Sequence, residues 1–131
     1  MNQAFDLVVI GGGPAGLAAA TTAAELGVNV TLIDEQSTPG GQIFRNVENA
    51  TSCSSEILGN DYLHGANLVK SFRKSNSGYC SHSQVWTVTP ELQIGVVSSG
   101  TGILYGAKSI IIANFFSVSF LYCCNLSAAT E

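Results

Sequence analysis

The chain has 131 residues, of which 46% are hydrophobic and only 11% charged, with five Lys/Arg against nine Asp/Glu for a net charge of −4. That length suits one domain and not comfortably two, and the apolar fraction excludes global disorder. No basic run exists, which excludes a nucleic-acid partner held by phosphate neutralisation, and the charged fraction is under half the roughly 25% of a typical soluble domain, pointing to a surface that something else covers.

The start, Met1 to Asp6, lacks the basic segment of a secretory signal, so a cytoplasmic location is expected. Phe5 to Ile10 is a short apolar, β-branched run that reads as a fully buried parallel strand. It breaks at Gly11-Gly12-Gly13-Pro14-Ala15-Gly16, and a run rich in Ala and Leu follows, ended by Gly27 at a cap position. A helix over 14–26 is expected, with Pro14 in the first turn, where its missing N–H costs nothing. Val28 to Ile33 alternates, is rich in β-branched residues and reads as a second strand, closing on Asp34-Glu35.

Strand, tight glycine turn, helix and strand give Gly11-x-Gly13-x-x-Gly16 the context of a dinucleotide fingerprint. Gly11 lets the strand turn into the helix, Gly13 lets the backbone approach a pyrophosphate, and Gly16 allows helix and strand to pack closely. The helix start, at Pro14 and Ala15, offers free N–H groups and the positive end of the dipole to phosphates. Asp34 follows Gly16 at close to the ~20-residue offset of the acid that binds ribose hydroxyls. No Arg stands beside it, which disfavours a 2′-phosphate and leaves FAD or NAD.

Val-Val-Ile-Gly-Gly-Gly-Pro-Ala-Gly-Leu-Ala-Ala-Ala (8–20) resembles the N-terminus of two-dinucleotide flavoproteins of the glutathione reductase and thioredoxin reductase type. Residues 31–36 with Pro39-Gly40-Gly41-Gln42-Ile43-Phe44-Arg45 narrow the resemblance. They are similar to a group of FAD/NAD(P)-binding proteins that includes the A subunit of opine oxidase, the flavoprotein component of hydrogen cyanide synthase and the α-type subunits of proline dehydrogenase. The resemblance implies FAD ahead of NAD as cofactor, with Asp34 on its adenosine ribose and Gly41 and Gln42 along the pyrophosphate and ribityl chain. Glu35, the neighbouring acid, is a secondary candidate.

Residues 46–84 carry less pattern. A short helix is expected over 66–74, with Leu68, Val69 and Phe72 on one face, read as a solvated connecting helix. Tyr62 and Tyr79 read as packing aromatics. Residues 85–89, 92–97 and 103–105 then read as antiparallel strands separated by turns, and 107–113 as a buried strand. In the resembling family this is a meander leading back into the parallel sheet, and Val85 matches a position whose backbone lies near the FAD adenine. Trp86 reads as meander packing.

The family's Ala-Thr-Gly turn is replaced here by Ala113-Asn114-Phe115, and 109–130 carries no charge. A membrane helix, a tail docking on a partner, and a reading frame that departs from its ancestral course near Ala113 all fit. The last explains the missing glycine and the loss of resemblance together, so 1–113 is expected to be the N-terminal part of an FAD-binding domain and 114–131 an unrelated hydrophobic tail. None of Cys53, Cys80, Cys123 and Cys124 forms a CxxC pair, and His64 and His82 stand alone, so neither a zinc site nor a disulfide framework is expected.

The expected fold is α/β and Rossmann-like but incomplete. Its parallel sheet takes strands near 5–10, 29–33 and 109–113, with helices on one face and a β-meander on the other. The expected function, by resemblance, is that of the N-terminal FAD-binding portion of a flavin-dependent, pyridine nucleotide-linked oxidoreductase. It implies a small-molecule substrate and, for a partner, a second oxidase or dehydrogenase subunit. Gly11, Gly13, Pro14, Ala15, Gly16, Asp34, Glu35, Gly41, Gln42 and Val85 are the candidate cofactor residues, and no catalytic residue can be named. The alternative is a dinucleotide-binding module or inactive fragment without turnover.

Overall fold

A computed structural model describes residues 3–40 and 55–114, with side chains in the second stretch described from His64 onward. Its backbone forms β1 (Gln3–Ile10), α1 (Pro14–Glu25), β2 (Val30–Ile33), α2 (Ser55–Lys74), β3 (Gly78–Cys80), β4 (Ser83–Val88), β5 (Gln93–Ser98) and β6 (Thr101–Ile112). The sheet order is β3-β2-β1-β6-β5-β4. The first four strands in that order run parallel, and β6, β5 and β4 are joined antiparallel as a meander.

The two-residue period of a strand explains the two layers. In β1, Leu7 and Val9 point to one side, where they join Leu17 and Ala20 of α1, Val30 and Leu32 of β2, and Val69 and Phe72 of α2. Val8 and Ile10 point to the other side and pack with Ile33, Ile94, Val96 and Tyr105. Helices therefore cover one face of the parallel sheet and the meander the other, as the sequence implies. From Leu7 to Ile10 both faces of β1 are buried, which is why this half of the strand is continuously apolar instead of alternating.

A bulge adapts β4 to this packing. The register slips between Val85 and Thr87, and the odd residue, Trp86, turns outward. Val85 and Val88, which a regular strand would place on opposite faces, both reach the meander-side cluster. The Trp86 ring lies over Gly95, where an added Cβ would come within 2.6 Å of it. Trp86 is thus meander packing on the outer face. Deeper in, the Tyr105 hydroxyl meets Cys80 Sγ at 3.7 Å and that sulfur meets Thr31 Oγ1 at 3.7 Å. Burial and the neighbouring Cys80 push the Tyr105 phenol up to about 12, so it stays protonated.

Three expectations need correction. The helix placed at 66–74 is the C-terminal half of α2, which starts at Ser55. It is also no solvated connector: Val69 and Phe72 are each 2% exposed and lie in the helix-side core. Strand β3 was not expected at all, because three residues beside a glycine carry no readable period. Finally, the strands placed at 103–105 and 107–113 are one element, β6, and its second half is not buried as expected, since β1 covers its edge but Ile111 and Ile112 stay exposed on its faces. Its first half pairs with β5 and its second with β1, the two partnerships overlapping at Tyr105 and Gly106.

Replacing Phe72 with Ala removes a buried ring from between α2 and the sheet. The expected loss is about 3–5 kcal/mol in unfolding free energy, measured by urea denaturation. A solvated connecting helix would lose a few tenths.

Candidate functional site

Four chain segments meet at the C-terminal end of the parallel strands. The Gly11 N–H donates to the Ile33 carbonyl at 2.9 Å, and the Ala113 N–H donates to the Ile10 carbonyl at 2.8 Å, so the ends of β1, β2 and β6 are tied together. Gly11 has φ +109°, a conformation that L side chains rarely adopt. It also has no room for a side chain, since a Cβ would lie 2.9 Å from the Ala113 carbonyl oxygen and against the Asn114 side-chain amide.

Gly16 and Gly13 contribute in opposite ways. A Cβ on Gly16 would run into the Gly11 carbonyl oxygen, so only glycine lets α1 settle this close to the end of β1. At Gly13 a Cβ would meet no described atom within 4 Å. Gly13 caps α1 with extended backbone and no side-chain cap, Pro14 opens the helix, and its first turn has no acidic residue. Open space therefore lies in front of uncapped N–H groups at the positive end of a helix dipole, the arrangement that suits a phosphate.

Asp34 stands beside this opening. A Cβ on Gly12 would meet its carboxylate, which places the acid against the glycine turn. Its Oδ2 is buried and has no hydrogen-bond partner among the described residues. Burial raises the Asp34 pKa above the usual carboxylate value, opposed by the backbone N–H groups of Gln36, Glu35 and Gly12 and by the Tyr79 hydroxyl. A buried acceptor oxygen without a donor is a costly arrangement in the free protein. A ribose hydroxyl would relieve it.

The structure brings Gly11, Gly13, Pro14, Ala15, Gly16 and Asp34 into one site, with Glu35 exposed at its margin. Gly41 and Gln42 lie outside the described residues, but Gly40 before them donates its N–H to the Gly12 carbonyl at 2.9 Å and so meets the first glycine turn. Val85 lies on β4, half-buried toward the meander core. Sequence reasoning gives no site role to Gly12 or Asn114 and reads Tyr79 as packing. Gly12 occupies the unspecified position of the fingerprint, and only its contact with Asp34 reveals why it is glycine. The place of Tyr79 beside the end of β2 depends on β3, which the sequence does not announce.

The model of the FAD-dependent oxidoreductase family matches residues 6–90. The chain belongs to that family. The A subunit of opine oxidase from Rhizobium meliloti (strain 1021) is 45% identical over 87 residues, covering 66% of this chain and 19% of the relative. Its counterpart from Agrobacterium tumefaciens (strain Ach5), also an opine oxidase subunit, is 33% identical over 121 residues, covering 86% of this chain and 24% of the relative. The chain thus spans about a fifth to a quarter of the length of these curated relatives. Among solved structures, L-proline dehydrogenase from P. horikoshii superposes with a TM-score of 0.67 at 23% identity, covering 86% of this chain and 23% of that one, a likeness of fold.

As a member of this family, the chain carries its N-terminal FAD-binding region, and FAD is the cofactor. The resemblance to the opine oxidase group holds, and so does the Rossmann-like α/β fold. Among the described residues, no helix is long and apolar enough to cross a membrane, and no group of three or more His, Cys, Asp or Glu side chains could hold a metal ion. The orphaned Asp34 oxygen and the uncapped α1 N-terminus before an open Gly13 fit the adenosine and pyrophosphate of FAD.

Two substitutions separate packing from binding. Gly16→Ala should lower the thermal midpoint by several degrees, because the displaced atom is backbone, whereas Gly13→Ala should stay within about a degree of wild type. Differential scanning fluorimetry without ligand makes the comparison. At Asp34 the sign runs the other way. A pKa raised on folding means the folded state favours the proton, so the acid adds stability at low pH and loses it as pH rises through the folded value. Asp34→Asn is therefore expected to unfold at a higher temperature than wild type at pH 7, the gap closing toward pH 3.

Proposed function

We propose that this chain holds the ADP half of FAD as the FAD-binding portion of an oxidoreductase acting on a small amine-type substrate. The observation that carries the reading is the buried Asp34 Oδ2, which has no partner among the described residues, beside an α1 N-terminus that no described side chain caps. Asp34 accepts from the adenosine ribose. Gly11 and Gly16 hold α1 close to β1, Gly13 leaves space for the pyrophosphate, and the first turn, opened by Pro14 and Ala15, turns N–H groups and its dipole toward it. Gly41 and Gln42 continue along the pyrophosphate and ribityl chain, Val85 offers backbone near the adenine, and Glu35 is a secondary contact at the margin. When bound, the flavin supplies the hydride and electron chemistry.

The substrate class follows the opine oxidase relatives, and because each of these is named for one subunit of its enzyme, a second subunit is the expected partner. Cys80, a free thiol among the described residues, is in keeping with the cytoplasm.

The purified chain is expected to retain a flavin absorbance spectrum through gel filtration. Gly13→Val, whose side chain would enter the pyrophosphate space, should lower affinity for FAD and for ADP by at least about a hundredfold, since it removes a close backbone approach and its charge-assisted hydrogen bonds. Unchanged affinity in that variant would falsify the reading.

A further inference from the structure

Strand β3 brings one further side chain to the acid at the end of β2. The register pairs Leu32 with Tyr79 and Ile33 with Cys80, and the Asp34 N–H donates to the Cys80 carbonyl at 3.0 Å. The turn after β3 grips the same loop from its other end. The Ser83 N–H donates to the Asp34 carbonyl at 2.9 Å, and the His82 N–H donates to the Gln36 carbonyl at 3.2 Å. The Tyr79 hydroxyl donates to that same Gln36 carbonyl at 3.2 Å, two residues after Asp34.

The ring that carries this hydroxyl is itself held from α2. Phe72 packs edge-on, with ring centroids 5.9 Å apart at 80°. The Arg73 guanidinium sits 5.7 Å over the Tyr79 centroid, a cation–π placement. Phe72 is buried in the helix-side core, so a rigid path runs from that core through Tyr79 to Asp34.

We propose that Tyr79 is a positioning residue for the nucleotide, its hydroxyl tying down the 34–36 loop through the Gln36 carbonyl and so setting the Asp34 carboxyl toward the ribose of a bound adenine dinucleotide. The proposal rests on the reading of Asp34 as the ribose ligand. Physically, Asp34 is pulled in two directions: burial favours its neutral form, while the Tyr79 hydroxyl and the nearby backbone N–H groups favour the charged form, the better acceptor. The other titratable groups on the surrounding described elements are Glu35 beside it, Cys80 on β3, His82 on the following turn and Arg73 over the Tyr79 ring.

The test is calorimetric titration of ADP into the full chain as wild type, Tyr79→Phe, Asp34→Asn and the double variant. Phe keeps the contacts with Phe72 and Arg73, so the thermal midpoint of Tyr79→Phe is expected to stay close to wild type. Its ADP affinity is expected to fall about fivefold, and that loss should vanish in the Asp34→Asn background, because Tyr79 acts through the carboxylate. With the hydroxyl that favours the charged form of Asp34 removed, the pH at which ADP binding weakens on acidification should also move upward in Tyr79→Phe. An equal loss in both backgrounds, with no shift in the pH profile, would show a merely structural tyrosine and overturn the proposal. Unchanged affinity in Tyr79→Phe while Asp34→Asn weakens binding would overturn it and leave the ribose reading standing. No effect of Asp34→Asn would overturn both.

Discussion

The close approach of α1 to β1 is the contact on which the site depends. A Cβ at Gly16 would strike the Gly11 carbonyl, and one at Gly11 would strike the end of β6. These two absent side chains set the height of the helix above the sheet. That height decides whether the first-turn N–H groups face open space or backbone. A helix lifted by one methyl group would still be a helix, but its dipole would end elsewhere.

Asp34 shows a complementary economy. Among the described residues the free protein keeps one Asp34 carboxylate oxygen buried with no donor, and burial raises its pKa. The same burial that costs stability removes competing water from the place where ribose hydroxyls arrive, so their hydrogen bonds form in a medium where they count for more. Residues held in such an unfavourable state persist only where the surroundings over-determine them. Here the surroundings are the Cys80 carbonyl, the Ser83 N–H and the Gly12 turn.

The unit from β1 to Asp34 was legible in the sequence because each of its signals has a short-range cause: a buried apolar run, glycines where side chains cannot fit, a helix and an acid at a fixed offset. The meander was legible from alternation, though not its bulge, since nothing local says that Trp86 turns out and Val88 turns in. Reading failed where the determinant was tertiary. The length of α2 and the burial of Val69 and Phe72 come from packing on α1 and the sheet, and β3 exists because β2 offers an edge to pair with. The place of Tyr79 beside the loop after β2 was hidden for the same reason, as its neighbours in space are distant in sequence.

Strand β6 sits beside β1 in the sheet yet comes last among the described elements. Leu7 pairs with Ser109, and Ile10 with Ile112, so about a hundred residues separate partners that hydrogen-bond directly. Such pairings are slow, because loop closure must precede any gain from the contact. As the chain leaves the ribosome, the glycine turn and its acid exist before the strand that closes one edge of β1. Until Ile112 has emerged, the apolar strand at the centre of the fold presents an open edge, a vulnerability to aggregation written into the order of its elements.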